Sequence, residues 1–298
     1  FRQLTKVATE LVREIDCDVI LQTQLLFTID RKVIDKPYFV YTDFTHHLFN
    51  SDIEAGFSTS GISRVSDEAI ELERLAYQSA DKVFVYTPYM AEDLVEFYYL
   101  SRDKVSPIGM GINVALPPPV QDWSHSFRIL FIGIDYERKG GALAVEAFQL
   151  VRERHPNATL TIVGSSPNIE LPGVKILGKI SLEDVEKELV RADVFLMPSF
   201  QEPSGVAFLE AIAYGLVVVA VRLNSLVGHL HENTTCLFAN SHDAGEIATQ
   251  INTAFEKPDA SLGIVKKGYE QVRSMYLWSI VVDKLLEEMR SQVSLPSI

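Results

Sequence analysis

Short, nearly continuous apolar runs recur along the chain at Asp18–Leu21, Tyr38–Thr42, Lys82–Thr87, Arg128–Gly133, Thr159–Gly164, Val174–Leu177, Val194–Pro198 and Leu216–Val221. Such runs, unlike alternating ones, are the signature of parallel strands covered by helices on both faces. Between them lie stretches with helical apolar spacing, at Asp67–Ala80, Gly141–Arg154, Leu182–Arg191, Val206–Tyr214 and Asp243–Phe255. Strand alternating with helix predicts an α/β fold of doubly wound parallel sheets. Phe1–Glu14 already shows helical spacing at Leu4, Val7, Ala8, Leu11 and Val12, which reads as a chain starting inside a domain. Three consecutive prolines, Pro117-Pro118-Pro119, can neither continue a helix nor donate to a strand ladder, so an extended linker is expected there. The expected division is a first domain over 1–115, a linker at 116–126, a second domain over 127–276, and an amphipathic tail at 277–298 that packs back on one of them.

A length of 298 residues accommodates two such domains, and 47% apolar with 22% charged residues is the composition of an ordinary globular protein. Twenty-seven basic against 40 acidic residues give a net charge of −13. That surface repels nucleic-acid phosphates and anionic lipid, so no nucleic-acid partner is expected, and any anion must be held by a local site against the global field. Two cysteines, Cys17 and Cys236, allow no disulfide framework and no four-thiolate metal cage. The longest apolar run, Leu216–Val221, falls far short of the roughly 20 residues that cross a bilayer. The expectation is a soluble, cytoplasmic protein with no transmembrane segment.

Several motifs offer chemistry and fail on context. Gly109-Met110-Gly111 imitates the start of a dinucleotide loop, but prolines follow where a helix must present its N-terminus to pyrophosphate. Asp16-Cys17-Asp18 has the spacing of a metal-binding carboxylate pair, yet it precedes a strand, and open α/β sheets bind ligands beyond the carboxyl ends of strands. His229-Leu230-His231 with Glu232 and nearby Cys236 lacks the second cluster that a closed zinc site needs, and is read as polar loop.

The informative segment is Ala192–Ala213. A strand at Val194–Pro198 runs through a short loop, Ser199–Gly205, into a helix that ends at Gly215. The start of that helix leaves unpaired N–H groups at the carboxyl edge of the sheet, an anion site even in an acidic protein. Glu202 precedes the junction, and Glu210 follows it inside an otherwise apolar helix, where a carboxylate wants a partner or a ligand. A helical rise of 1.5 Å per residue separates the two by roughly 10 Å, a span that suits a nucleoside diphosphate sugar.

The spacing of Glu202 and Glu210 within Pro198-Ser199…Glu202-Pro203-Ser204-Gly205…Glu210-Ala211 resembles the signature of family 4 of the retaining glycosyltransferases of the GT-B fold, glycosyl transferases group 1. Phe127–Gly164, with Lys139-Gly140 at the expected distance from Gly133, resembles the opening of that family's second domain, and Val174–Gly178, Ala211–Val221 and, more loosely, Ala80–Asn113 continue the match. The resemblance implies two Rossmann-like α/β/α domains facing a cleft, the N-terminal one incomplete as given. It implies a retaining glycosyltransferase of hexosyltransferase type, moving a sugar from a UDP-, GDP- or ADP-sugar to the hydroxyl of a saccharide, lipid or small-molecule acceptor, with no metal and no cofactor. Carried onto this sequence, Glu202 faces the donor sugar, the amides around Ser204, Gly205 and Val206 approach its diphosphate, Lys139 neutralises that diphosphate, Glu210 takes the ribose hydroxyls, and Gly133 is a further substrate-binding position. Where the family has Arg after the glycine equivalent to Gly133, this chain has Ile134, and Arg138 is the substitute cation. Val217 and Asn224-Ser225 stand where Pro and a Gly-Gly pair are common. His46 or His47 is the candidate for the sugar-contacting histidine of the first domain. The family's N-terminal Gly-rich loop has no counterpart, which keeps open a non-catalytic nucleotide-sugar-binding protein of the same fold and, more remotely, a sugar-nucleotide epimerase.

Overall fold

The computed structural model describes residues 1–54, 63–123 and 126–292. The described residues divide into two compact units, one formed by 1–54, 63–110 and 278–292, the other by 111–123 and 126–277.

The first unit contains α1 (Arg2–Glu14), β1 (Ile20–Thr23), β2 (Tyr38–Thr42), α2 (His46–Glu54), α3 (Asp67–Ser79), β3 (Lys82–Val85), α4 (Pro88–Glu96) and β4 (Val105–Pro107). Its strands form a parallel sheet in the order β1-β2-β3-β4. Every residue of β2 and β3 is buried, as both-face covering requires. Helix starts follow local chemistry: the Ser66 hydroxyl accepts from the Ala69 amide ahead of Asp67 and Glu68, and Thr87 caps α4 with Pro88 in its first turn. The apolar positions Leu4, Val7 and Leu11 of α1 are exposed, and only Thr9 of that helix is buried.

The second unit runs β5 (Arg128–Ile132), α5 (Gly141–Arg154), β6 (Thr159–Val163), β7 (Val174–Gly178), α6 (Leu182–Arg191), β8 (Val194–Met197), α7 (Val206–Ala213), β9 (Val217–Val221), α8 (Asn224–Val227), β10 (Cys236–Ala239), α9 (Ala244–Glu256) and α10 (Pro258–Met275). Its six strands are parallel in the order β10-β9-β8-β5-β6-β7. Chain order therefore reverses between β5 and β8, the topological switch point at which open α/β sheets bind ligands.

The last helix, α11 (Trp278–Gln292), belongs to the first unit. Its Val281, Leu285 and Met289 pack on Phe39, Tyr41, Phe84 and Ile108, and Glu288 pairs with the Lys82 ammonium and accepts from Ser106 at 3.1 Å. The triple-proline segment lies in the second unit, where Pro117 O accepts from Tyr269 Oη at 2.8 Å and Trp123 is buried; positions 124 and 125 of the expected linker, and 293–298 of the tail, lie outside the described residues.

Several elements escape the sequence pattern. β4 and β10, three and four residues long, are not among the apolar runs read from the sequence. α10 starts at Pro258, which reads as a helix terminator and here occupies the first turn, where its missing N–H costs nothing. His46 and His47 open α2.

Candidate functional site

The switch point places two loops side by side. The first leaves β5 at Gly133 and carries Arg138, Lys139 and Gly140 into α5; the second leaves β8 at Pro198 and carries Glu202 and Gly205 into α7. Gly140 adopts a φ of +74°, and a Cβ there would lie 2.1 Å from Pro198 O, so only glycine lets the β5 loop close onto the end of β8. Backbone bonds then fasten the two loops: Phe200 N–H donates to Arg138 O at 2.9 Å, and the Arg138 guanidinium reaches Gln201 O at 2.9 Å and Asp135 at 3.1 Å. Arg138, expected as a second cation at the diphosphate, thus has its guanidinium engaged in bracing the loop that bears Glu202.

The contact so produced joins two residues 63 positions apart. Lys139 Nζ pairs with Glu202 Oε2, the two side chains being 15% and 6% exposed. Glu202 also accepts from Ser199 Oγ at 3.3 Å and from the Gly205 amide at 3.2 Å. Its own carbonyl accepts from Ser225 Oγ on α8 at 2.5 Å, so Ser225 ties down the loop from behind. Gly205 is the N-cap of α7 with a φ of +73°. The first-turn amides beyond it, at Val206 and its successor, have no intrahelical acceptor, the condition for binding an anion. Ser204 is half-buried beside them.

Glu210 lies further along α7, half-buried, and accepts from the Asn113 amide at 3.0 Å. Burial pushes its carboxyl above the ordinary carboxylate range, and the bonds from Asn113 pull it partly back. Gly133 sits where a Cβ would meet Phe131 and Lys139 at 2.9–3.0 Å, which keeps the backbone close to the root of the lysine.

In the first unit the two histidines part company. His47 Nδ1 lies 2.5 Å from Asp93 Oδ1, and its ring stacks on Phe97 with centroids 3.5 Å apart. His46 instead lines a pocket of about 300 Å³ at the carboxyl end of β2 with Thr42, Asp43 and Thr45, its amide donating to the buried Glu73. Glu73 is raised chiefly by burial, against the opposing pull of His46 and the Tyr98 hydroxyl. The sequence gives no hint of Asp93 or Glu73 as partners, because both lie on the buried sides of helices far along the chain.

Other motifs are dispersed. Gly109 lies where the first unit ends, its carbonyl accepting from Tyr41 Oη at 2.7 Å. Cys236 is buried in β10, and His229 is buried against the N-cap of α7. Among the described residues no group of three or more His, Cys, Asp or Glu is placed to hold a metal ion, and no helix is long and apolar enough to cross a membrane.

A parallel sheet reversed at β5/β8, with a lysine, a carboxylate and a helix start converging there, is the architecture of one half of a GT-B fold. Residues 126–257 match the family model for glycosyl transferases group 1. Among sequence relatives, the chain is 24% identical over 258 residues to mannosylfructose-phosphate synthase of Agrobacterium fabrum, covering 77% of this chain and 57% of that protein. It is 29% identical over 210 residues to the D-inositol 3-phosphate glycosyltransferase of Pseudarthrobacter chlorophenolicus, covering 62% and 50%. The chain therefore spans about half the length of these relatives. Among solved structures, sucrose-phosphate synthase from Thermosynechococcus elongatus aligns with a TM-score of 0.76 at 19% identity, over 97% of this chain and 77% of that one. The Anabaena protein HepE in complex with UDP and glucose aligns with 0.75 at 15%, over 97% and 82%. The fold is GT-B.

Proposed function

We propose that the chain is part of a retaining, metal-independent glycosyltransferase that moves a hexosyl group from a nucleoside diphosphate sugar to an acceptor hydroxyl. The observation that carries this reading is the meeting of Lys139, Glu202 and the α7 N-terminus at the β5/β8 switch point. In the transfer, the anomeric carbon leaves a diphosphate oxygen and bonds to the acceptor oxygen, negative charge grows on the diphosphate, and the acceptor's proton passes to that leaving group and on to solvent. Lys139 and the α7 amides stabilise that charge most as it develops, which is what accelerates a reaction rather than merely binding its substrate. Glu202 takes sugar hydroxyls, and Glu210 takes the ribose. Arg138 keeps the Glu202 loop in place. On the first unit, His46 is the better candidate for a sugar contact, since the His47 ring is committed to Asp93 and Phe97.

The names of relatives support this reading in kind: they include a mannosylfructose-phosphate synthase and a D-inositol 3-phosphate glycosyltransferase. The test is a thermal-shift screen of UDP, GDP, ADP and their sugars in EDTA and in magnesium, followed by transfer to an acceptor panel. One nucleotide should raise Tm equally in both, because specific binding stabilises only the native state and the cations at this site are side chains. Stabilisation that appears only with magnesium would move the diphosphate away from Lys139. Tight binding of a sugar nucleotide with neither hydrolysis nor transfer would leave a binding protein.

A further inference from the structure

We propose that His229 is a donor-binding residue of this chain, giving its Nε2–H to an oxygen of the diphosphate at the start of α7; the inference rests on the donor site described above.

His229 is 3% exposed, and neither ring nitrogen has a hydrogen-bond partner among the described residues. Buried polar atoms in native proteins are almost always paired, so an unpaired pair on one ring needs a reason. The ring is not loosely placed. Its backbone N–H donates to Leu226 O at 3.1 Å, its carbonyl accepts from Gln271 Nε2 at 2.9 Å, and the ring meets Tyr276 edge-on with centroids 6.4 Å apart. Those contacts turn Nε2 toward the N-cap of α7: a Cβ built on Gly205 would lie only 2.9 Å from it. Burial, with His231 nearby, pushes the ring down to about 4, so at neutral pH it is uncharged and holds one N–H and one acceptor nitrogen.

A neutral donor beside a helix start has a natural ligand in an anion's oxygen. Packing alone gives no account of the choice. Leu226, which meets Gly205 beside the ring, is apolar and buried, and a leucine in place of His229 would strand no nitrogens. The α7 amides supply only part of the hydrogen bonding that a diphosphate demands, and Arg138 is committed elsewhere. His229 supplies a further donor from the side of α8, the segment that also holds Glu202 through Ser225.

The experiment uses the full chain and whichever of UDP, GDP and ADP raises its Tm. His229→Leu should leave the free protein folded and at least as stable, and weaken that nucleotide roughly tenfold or more, as expected for a lost hydrogen bond to a charged acceptor. His229→Gln, whose amide nitrogen can stand near Nε2, should recover most of the affinity. In long-range ¹⁵N–¹H spectra of the histidine rings, assigned with these variants, the His229 Nε2–H resonance should shift on nucleotide addition while the ring stays neutral. If both variants bind the nucleotide like wild type and the ring signal does not move, His229 is a packing residue; the donor site then stands and this inference falls. If no nucleotide binds the wild type, the donor-site reading fails and takes the inference with it.

Discussion

Glu202→Gln should tighten the binding of a bare nucleoside diphosphate while it lowers transfer. In the free protein Lys139 is already neutralised by Glu202, so an incoming diphosphate must win the ammonium away from a carboxylate. The pair is 15% and 6% exposed, between an exposed ion pair, worth about 0–1 kcal/mol, and a fully buried one, whose disruption costs about 3–5 kcal/mol. An intermediate value of about 2 kcal/mol corresponds to roughly a 30-fold ceiling on the gain when the competitor loses its charge. The amide of glutamine still accepts from the Gly205 N–H and the Ser199 hydroxyl, so the loop should keep its shape. Titration calorimetry with the cognate nucleoside diphosphate should show a gain of about five- to 30-fold for Glu202→Gln, and Lys139→Met introduced on top should abolish it. A sugar nucleotide should gain less, since the proposed contact of Glu202 with the sugar is weakened. Unchanged or weaker diphosphate binding in a folded Glu202→Gln protein would refute the competition, and with it the role of Lys139 at the phosphates.

Lys139→Ala should lower turnover more than donor affinity, the pattern of an interaction that strengthens as the diphosphate gains charge; equal losses in steady-state kinetics would make it a simple binding contact. Glu210→Ala should weaken nucleotide binding by about 10- to 100-fold through the loss of a charged acceptor for ribose hydroxyls, and an unchanged Kd would leave Glu210 a packing residue. Because burial raises the Glu210 carboxyl, its folded state holds the proton more tightly than the unfolded chain does, so its stabilising share is fully present below the ordinary carboxylate range and is lost as pH rises through the raised value. Glu210→Gln should therefore raise Tm near pH 7 and have less effect near about pH 4, and the opposite trend in thermal melts would contradict the sign. Gly205→Ala should cost at least about 1–2 kcal/mol in denaturant unfolding, since φ is +73° and the new methyl would lie 2.7 Å from Leu226 and 2.9 Å from His229; a loss under about 0.5 kcal/mol would show that α8 yields.

Much of the fold is local and could be read from residues in a row. The apolar runs gave β2, β5, β6, β8 and β9 to within a residue or two, because a buried parallel strand has no polar face to disguise it. The strand–loop–helix of Val194–Ala213 was equally legible, and with it the placement of Glu202 before a helix start and Glu210 inside that helix. What no local pattern encodes is which loops become neighbours. The adjacency of β5 and β8, separated in sequence by two strands and two helices, is set by how all the apolar faces are buried together, and it alone brings Lys139 to Glu202. The same holds for the commitment of Arg138 to Gln201, of His47 to Asp93 and of Asn113 to Glu210. His229 makes the distinction most plainly. In sequence it belongs to a His-Leu-His motif with a poor claim on zinc, and only the tertiary structure brings its Nε2 beside Gly205 at the start of α7. Periodicity fixes what a segment becomes, whereas burial and hydrogen bonding across the whole domain fix what each side chain meets.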